Sequence, residues 1–375
     1  MMEASRRRLS LRRPFRLAAG WLAPAAALFA LAVATVGPAL AQQASLGTID
    51  EDCTAFAIGR DGRVAFATQH VFNSHKFMIQ RDDFWIGEPG RGKKKILNGE
   101  KLVRGEGGFS YTVRALRWSP NGSKLAAELL TSTEAEHHGD VTANTTSFLL
   151  DANGMEVHIA DGDSMIPDST NAAWLDDEST VVYLSDETRG RGQFSVNAVR
   201  PAAGNPTRLF EDTLILGIVW PERGRQAMAV DVDDRGRPRL VQLDLDSRKE
   251  NVLAALDGYA GGLKLSPSGQ KVSYFKDQER LEVRALANPG KVLQSIRVLY
   301  GMYFWAGDEQ HVLIKSGPER RSGIIQSFRL SDGNSDDMFH GLTFWSFAVS
   351  PDGRKIGLTP PGKHVVNFFS LEGLR

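Results

Sequence analysis

An apolar residue, a tight polar turn and an alternating apolar run recur along the chain. The lead residues are Ile58, Trp118, Trp174, Trp220, Leu265, Trp305 and Val349. The turns that follow read GRDGR, SPNGSK, LDDEST, PERGRQ, SPSGQK, AGDEQH and SPDGRK, and the runs after them read VAFA, LAAE, VVYL, AMAV, VSYF, VLIK and IGLT. Successive lead residues lie 60, 56, 46, 45, 40 and 44 residues apart. Gly, Pro, Asn and Asp between two period-two runs predict a β-hairpin at each copy. In Pro120-Asn121-Gly122, Pro267-Ser268-Gly269 and Pro351-Asp352-Gly353, proline presets one turn dihedral and glycine supplies the positive φ.

A second strand pair follows most hairpins. Asp83–Gly87 with Lys95–Leu97, Gln193–Arg200 with Thr207–Phe210, Arg239–Leu245 with Asn251–Leu253, and Leu281–Leu286 with Val292–Leu293 show it. Four strands per repeat of this length predict one blade of a β-propeller. A four-stranded sheet with two apolar faces cannot bury both alone, whereas blades packed face to face around an axis can. The expectation is an all-β propeller of four-stranded blades, seven in number, or six if the first or last copy is degenerate. The last copy runs Phe347–Leu358 and Lys363–Leu371 and lacks an outer strand. Residues Ala44–Ile49 are expected to supply it and close the ring.

The segments Trp118-Ser-Pro-Asn-Gly-Ser-Lys, Leu265-Ser-Pro-Ser-Gly-Gln-Lys and Val349-Ser-Pro-Asp-Gly-Arg-Lys resemble the repeat of TolB-type, WD40-like propellers. Similar repeats occur in the propeller domains of prolyl oligopeptidase and dipeptidyl peptidase relatives. The resemblance spans roughly residues 45–375. It speaks for fold rather than function, because the matching residues make turns and cores. The chain leaves no room for TolB's extra N-terminal domain. It carries neither a hydrolase domain after the repeats nor a Gly-x-Ser-x-Gly nucleophile elbow.

The N-terminus changes the expected compartment. Arg6, Arg7, Arg8, Arg12, Arg13 and Arg16 precede an apolar stretch from Leu17 to Ala41, which ends in Ala39-Leu40-Ala41. That layout predicts a secretory signal peptide over 1–41, cut before Gln42, with 42–375 as one propeller domain. Pro24, Pro38 and the small-residue ending argue against a retained membrane anchor. Arg12-Arg13-Pro14-Phe15 loosely resembles a twin-arginine signal, but the general secretory route is the expected one. The product is expected to be a periplasmic or secreted monomer without a stable membrane span.

Composition narrows the partner. The whole chain has 45 basic and 45 acidic residues, but residues 1–41 hold six Arg and one Glu, so the body is net −5. An acidic body without interleaved basic and aromatic residues gives no reason to expect nucleic acid. A single cysteine, Cys53, excludes a disulfide framework and a Cys-based zinc site.

Two segments account for the wide first spacings: Gln69–Arg81 and Thr131–Asn144. They are expected to be long loops on the face opposite the aligned turns, in neighbouring blades one and two. They hold His70, His75, His137 and His138, with Glu134, Glu136 and Asp140. These residues are the candidate ligand- or partner-binding set. Imidazoles and carboxylates together could also take a divalent metal, but the spacing matches no standard ligand motif. No cofactor is expected.

Other clusters have plainer readings. Asp231-Val232-Asp233-Asp234-Arg235-Gly236 slightly resembles a calcium loop but lacks the downstream bidentate Glu, and reads as a hairpin turn. Asp176-Asp177-Glu178 reads as a solvated turn and Asp161-Gly162-Asp163 as an inter-blade link. Trp118, Trp174, Trp220 and Trp305 share one repeat position and read as core, as do Phe344, Trp345 and Phe347. Gly107-Gly108 and Gly261-Gly262 fit close backbone approach near the axis.

The leading functional expectation is a non-enzymatic exported propeller that binds a protein or an envelope polymer. The alternatives are a periplasmic propeller enzyme, hydrolase or lyase, with its site at the channel mouth, and a metal or small-molecule sensor.

Overall fold

A computed structural model of the chain describes residues 44–74, 77–101, 109–134, 141–151, 156–162, 172–185, 193–201, 205–316 and 322–372. The described residues are almost wholly β, with one turn of 3-10 helix at Gly99–Lys101. Antiparallel pairing arranges the strands in four-stranded arrays. The first is Cys53–Ile58, Val64–Ser74, Phe77–Gly87 and Lys93–Leu97; the second is Phe109–Trp118, Lys124–Glu134, Val141–Asp151 and Glu156–Gly162. A single parallel bridge, Arg81 to Tyr111, joins these two.

The third array is Ala172–Trp174, Val181–Ser185, Gln193–Val199 and the first half of the long strand Thr207–Val219. The second half of that strand opens the fourth array, followed by Gln226–Val232, Pro238–Asp244 and Lys249–Ala255. The fifth is Gly261–Leu265, Lys271–Asp277, Arg280–Ala285 and Val292–Arg297; the sixth is Tyr303–Trp305, His311–Lys315, Ile325–Arg329 and Ser335–Asp337. The last array is Ser346–Val349, Lys355–Thr359 and Val366–Ser370, and its fourth strand is Ser45–Ile49 from the N-terminal end. Thr48 pairs with Asn367 and Ile49 with Val366, and Ser370 N–H donates to Ala44 O at 2.9 Å. Ile49 is buried with Ile58, Val64, Phe66, Val366 and Phe368, so this shared sheet packs on the first array.

Packing between arrays explains the strand pattern. Middle strands such as Val181–Leu184, His311–Lys315 and Ala227–Asp231 are buried throughout, because both of their faces meet a neighbouring array. Trp118, Trp174, Trp220 and Trp305 are all buried. Trp118 Nε1–H donates to Ala57 O of the first array at 3.0 Å, and Trp174 Nε1–H to Leu125 O of the second at 3.1 Å. The repeated tryptophan is therefore a wedge against the preceding array. Phe344 and Phe347 are buried as expected, but Trp345 is 54% exposed. Adjacent residues of an extended segment point oppositely, so burying Phe344 turns Trp345 away from it.

The aligned turns are stapled to one another. Arg63 Nη2–H donates to Gly122 O at 2.6 Å, and the Lys124 ammonium donates to Glu178 O while lying 4.1 Å from the centre of the Trp174 ring. Arg225 Nη2 reaches Asp177 at 2.7 Å, and Gly224 N–H donates to Asp176 at 2.8 Å. Lys271 Nζ donates to Glu309 O at 2.8 Å, Gly307 N–H to Gly353 O at 2.8 Å, and Lys355 Nζ to Arg60 O at 3.3 Å. Asp176 and Asp177 thus bracket the next array rather than form a merely solvated turn. Asp161 and Gly162 end the strand Glu156–Gly162 and are not a free link. The Asp233 turn is a hairpin turn as expected: Asp233 N–H bonds Arg237 O at 2.9 Å and Gly236 has φ 73°. Gly261 and Gly262 sit at φ 141° and 71°, and a Cβ at Gly261 would lie 2.5 Å from the Tyr300 hydroxyl, so the close-approach reading holds there.

Candidate functional site

The described parts of the two long segments of the first and second arrays are strand, not loop. Val64–Ser74 pairs without interruption with Phe77–Gly87 as far as Ser74 and Phe77, and Lys124–Glu134 pairs with Val141–Asp151 as far as Glu134 and Val141. The residues expected in the loops, VFNS, FMIQ, TSTE and VTAN, are rich in β-branched and aromatic types, and they extend the ladder. His75, Glu136, His137, His138 and Asp140 lie outside the described residues. Glu134 ends its strand. Of the expected set, the side chain of His70 is placed.

His70 belongs to a cluster of charged groups on the first array. Its Nδ1 lies 3.2 Å from Asp83 Oδ2 and its Nε2 3.2 Å from Glu100 Oε1. A neutral imidazole donates to only one of these; the doubly protonated ring donates to both. Thr68 and Asp83 face each other across the ladder, while His70 sits opposite Arg81, which brings these groups to the middle of the hairpin. Asp83 also accepts from Lys95 Nζ at 2.5 Å and from Gly99 N–H at 2.8 Å. Gly99 has no room for a side chain: a Cβ would lie 2.9 Å from the carbonyl oxygens of Arg81 and Asp82.

Asp82 points the other way and joins the first array to the second. Its Oδ2 accepts from Thr54 Oγ1 at 2.7 Å and from Val113 N–H at 2.8 Å, and Tyr111 donates its hydroxyl to Asp82 O at 2.8 Å. Asp82 is fully buried, and its Oδ1 has no hydrogen-bond partner. Arg81, also buried, lies 5.4 Å from the centre of the Phe72 ring and reaches Glu100 O at 3.3 Å.

The adjacent carboxylates are pushed apart. Burial raises the pKa of Asp82, against the hydrogen bonds from Val113 and Thr54 and with a smaller push from Asp83. Burial pushes Asp83 up as well, but Lys95, the Gly99 amide and His70 together hold it below the ordinary value. A raised folded pKa stabilises below the unfolded pKa, and that stability is lost as pH rises through the folded value. A depressed one stabilises above the unfolded pKa and is lost as pH falls through the folded value. At neutral pH, Asp82→Asn is therefore expected to stabilise, because it neutralises a buried carboxylate while keeping the acceptor for Thr54 and Val113. The gain shrinks as pH falls toward about 4, near the unfolded carboxylate value. Asp83→Asn is expected to cost about 1–3 kcal/mol at neutral pH, a cost kept down to the unfolded carboxylate value and lost only as pH falls below it. Urea unfolding from neutral pH down to about 4 reads the first change, and its continuation below about 4 reads the second.

Chemically, this arrangement ties the first array to the second through Asp82, Tyr111 and Val113. Among the described residues no group of three or more His, Cys, Asp or Glu could hold a metal ion. Cys53 is a free, partly buried thiol, pushed up to about 12 by burial first and then by Glu51 and Asp52. It is a poor nucleophile there. Sequence reasoning missed Arg81, Asp82, Asp83, Lys95 and Glu100. Three consecutive charged residues inside the apolar strand FMIQRDDFWIG were the available signal.

No family model matches the chain, and no curated protein matches it. Solved structures do. A chain of the mitotic checkpoint complex aligns with TM-score 0.56 and 12% identity over 95% of this chain and 99% of its own. The Dos1 propeller aligns with TM-score 0.52 and 12% identity over 90% and 97%. TolB from Acinetobacter baumannii aligns at TM-score 0.44 and 12% identity over 83% and 64%. The likeness to the first two covers nearly all of this chain and nearly all of theirs, and it agrees with the repeat read from the turns: the chain has the fold of a β-propeller.

Proposed function

We propose that residues 42–375 are an exported, non-enzymatic propeller of seven blades, closed by the N-terminal strand, that docks a protein or an envelope polymer on the face opposite the aligned turns. A cut before Gln42 would leave two residues ahead of Ala44 and keep the closing strand intact. Among the described residues no helix is long and apolar enough to cross a membrane.

The observation that carries the docking face is where large apolar side chains meet solvent. Val71, Met78 and Leu130 lie on the long hairpins of the first two arrays, and Leu214, Leu299, Leu342 and Trp345 lie where one array leads into the next. All of these positions belong to the face opposite the aligned turns. The other exposed large apolar residues, Leu46, Val252 and Leu293, are on outer strands. The turn face, by contrast, spends its polar groups on itself. Seven of the ten exposed large apolar residues among the described ones lie on one face, and this concentration supports a macromolecular contact surface.

The test is affinity capture from envelope extract with three baits. These are the mature chain, a Met78→Asp/Trp345→Asp variant, and a turn-face control, Arg223→Glu, at an exposed position of the aligned turn of the fourth array. The expected result is a partner retained by the first and third baits and lost from the second. A partner lost from the control and kept by the second bait would overturn the assignment of the face. Equal retention by all three would overturn it too.

A further inference from the structure

The turn of the fourth array does something the other turns do not. Its Glu222 reaches back to two arrays that do not adjoin it in the order of pairing. Glu222 Oε1 accepts from Arg117 Nη2 at 2.9 Å, at the end of the innermost strand of the second array, and the same Nη2 also donates to Trp220 O at 3.1 Å. Glu222 Oε2 lies 3.9 Å from Arg60 Nη2, in the turn of the first array. Three arrays are thereby tied across the turn-face end of the ring.

The charges do not balance. Two guanidiniums face one carboxylate, and Arg60 has the poorer share: its contact is long, and its Nε is enclosed without a hydrogen-bond partner. An enclosed charged donor without an acceptor is unfavourable, and a guanidinium is shaped for two parallel bonds to one carboxylate. Arg117 is held in place by a backbone carbonyl, so the seat is built rather than incidental. All three side chains keep partial solvent access, at 19% for Arg117 and 31% for Arg60 and Glu222.

We propose that Arg60 and Arg117 form a seat for a carboxylate at the turn-face end of the channel, that Glu222 fills it as an internal ligand, and that the carboxylate of an acidic side chain or chain terminus of a partner competes for it. This site lies on the opposite face from the docking surface above and stands independently of it. Because the internal ligand must leave first, the wild-type chain binds weakly and loss of Glu222 strengthens binding.

The test uses the mature chain with N-acetylglutamate as the probe and inorganic phosphate as the comparison, read by calorimetry, with a melting curve for each variant. Glu222→Gln is expected to bind N-acetylglutamate about tenfold more tightly than wild type, the scale of removing one competing charge at short range. Arg60→Gln/Arg117→Gln is expected to abolish binding while still melting cooperatively. Should Glu222→Gln fail to fold, Glu222→Asp shortens the reach and must move the affinity the same way. An unchanged affinity in the folded Glu222 variant would overturn the seat. Binding that survives the double arginine change would overturn it as well. Phosphate binding more tightly than N-acetylglutamate would overturn the carboxylate assignment.

Discussion

Removing residues 44–49 is expected to abolish cooperative folding of the mature chain. These residues are the outer strand of the last array and pair with Val366–Ser370 from the other end of the sequence. Ile49 is also one of six residues in the apolar cluster between that array and the first. Deletion exposes the edge of Val366–Ser370 and opens the cluster holding Phe66 and Phe368. Each large apolar group uncovered costs about 1.5–3 kcal/mol. Several such losses together take up much of the about 5–15 kcal/mol by which a domain is normally stable. Circular dichroism melting reads the outcome: the full mature chain should give one sharp transition, and the truncated chain a broad one or none. Addition of a synthetic peptide of residues 42–50 should restore part of the transition, because the missing strand can be supplied in trans.

Trp174→Ala should be the most costly single core substitution of the repeat. Trp174 is 5% exposed, donates its indole N–H to Leu125 O at 3.1 Å, and carries the Lys124 ammonium over its ring. The substitution leaves a cavity between the second and third arrays, an unpaired carbonyl, and a cation without its ring. Large-to-small changes of an aromatic residue in a core cost about 3–5 kcal/mol. The expected result is a fall of that size in urea unfolding free energy without a change in slope. Lys124→Met isolates the clasp: it should lose only a small part of that amount, because the cavity term is absent.

The repeat was legible because its residues make turns and wedges. Seven lead residues at one position, with Gly and Pro beside them, announce hairpins, and the buried tryptophans bear the reading out. The fourth strand of the last array, Ser45–Ile49, was legible for a different reason: the last copy was one strand short. The long hairpins were harder. Their polar residues, GlnHis and ThrSerThr, look like loop sequence, and only the continued alternation of β-branched residues signals a ladder. The buried cluster around Asp82 and Asp83 was least legible. Its partners Thr54, Lys95, Gly99 and Val113 are scattered over three strands and a turn, and only folding assembles them. Trp345 shows the limit of reading hydrophobicity as burial, because an apolar residue in a link can as well be presented to a partner.

The proposed docking face rests on the pairing of the first described strand with the last, Ser45–Ile49 with Val366–Ser370. Amide hydrogen exchange of the intact mature chain tests this most directly. The amides of residues 45–49 should be as protected as those of 366–370, and both segments should open together under increasing urea. Rapid exchange of 45–49, with 366–370 still protected, would contradict the account.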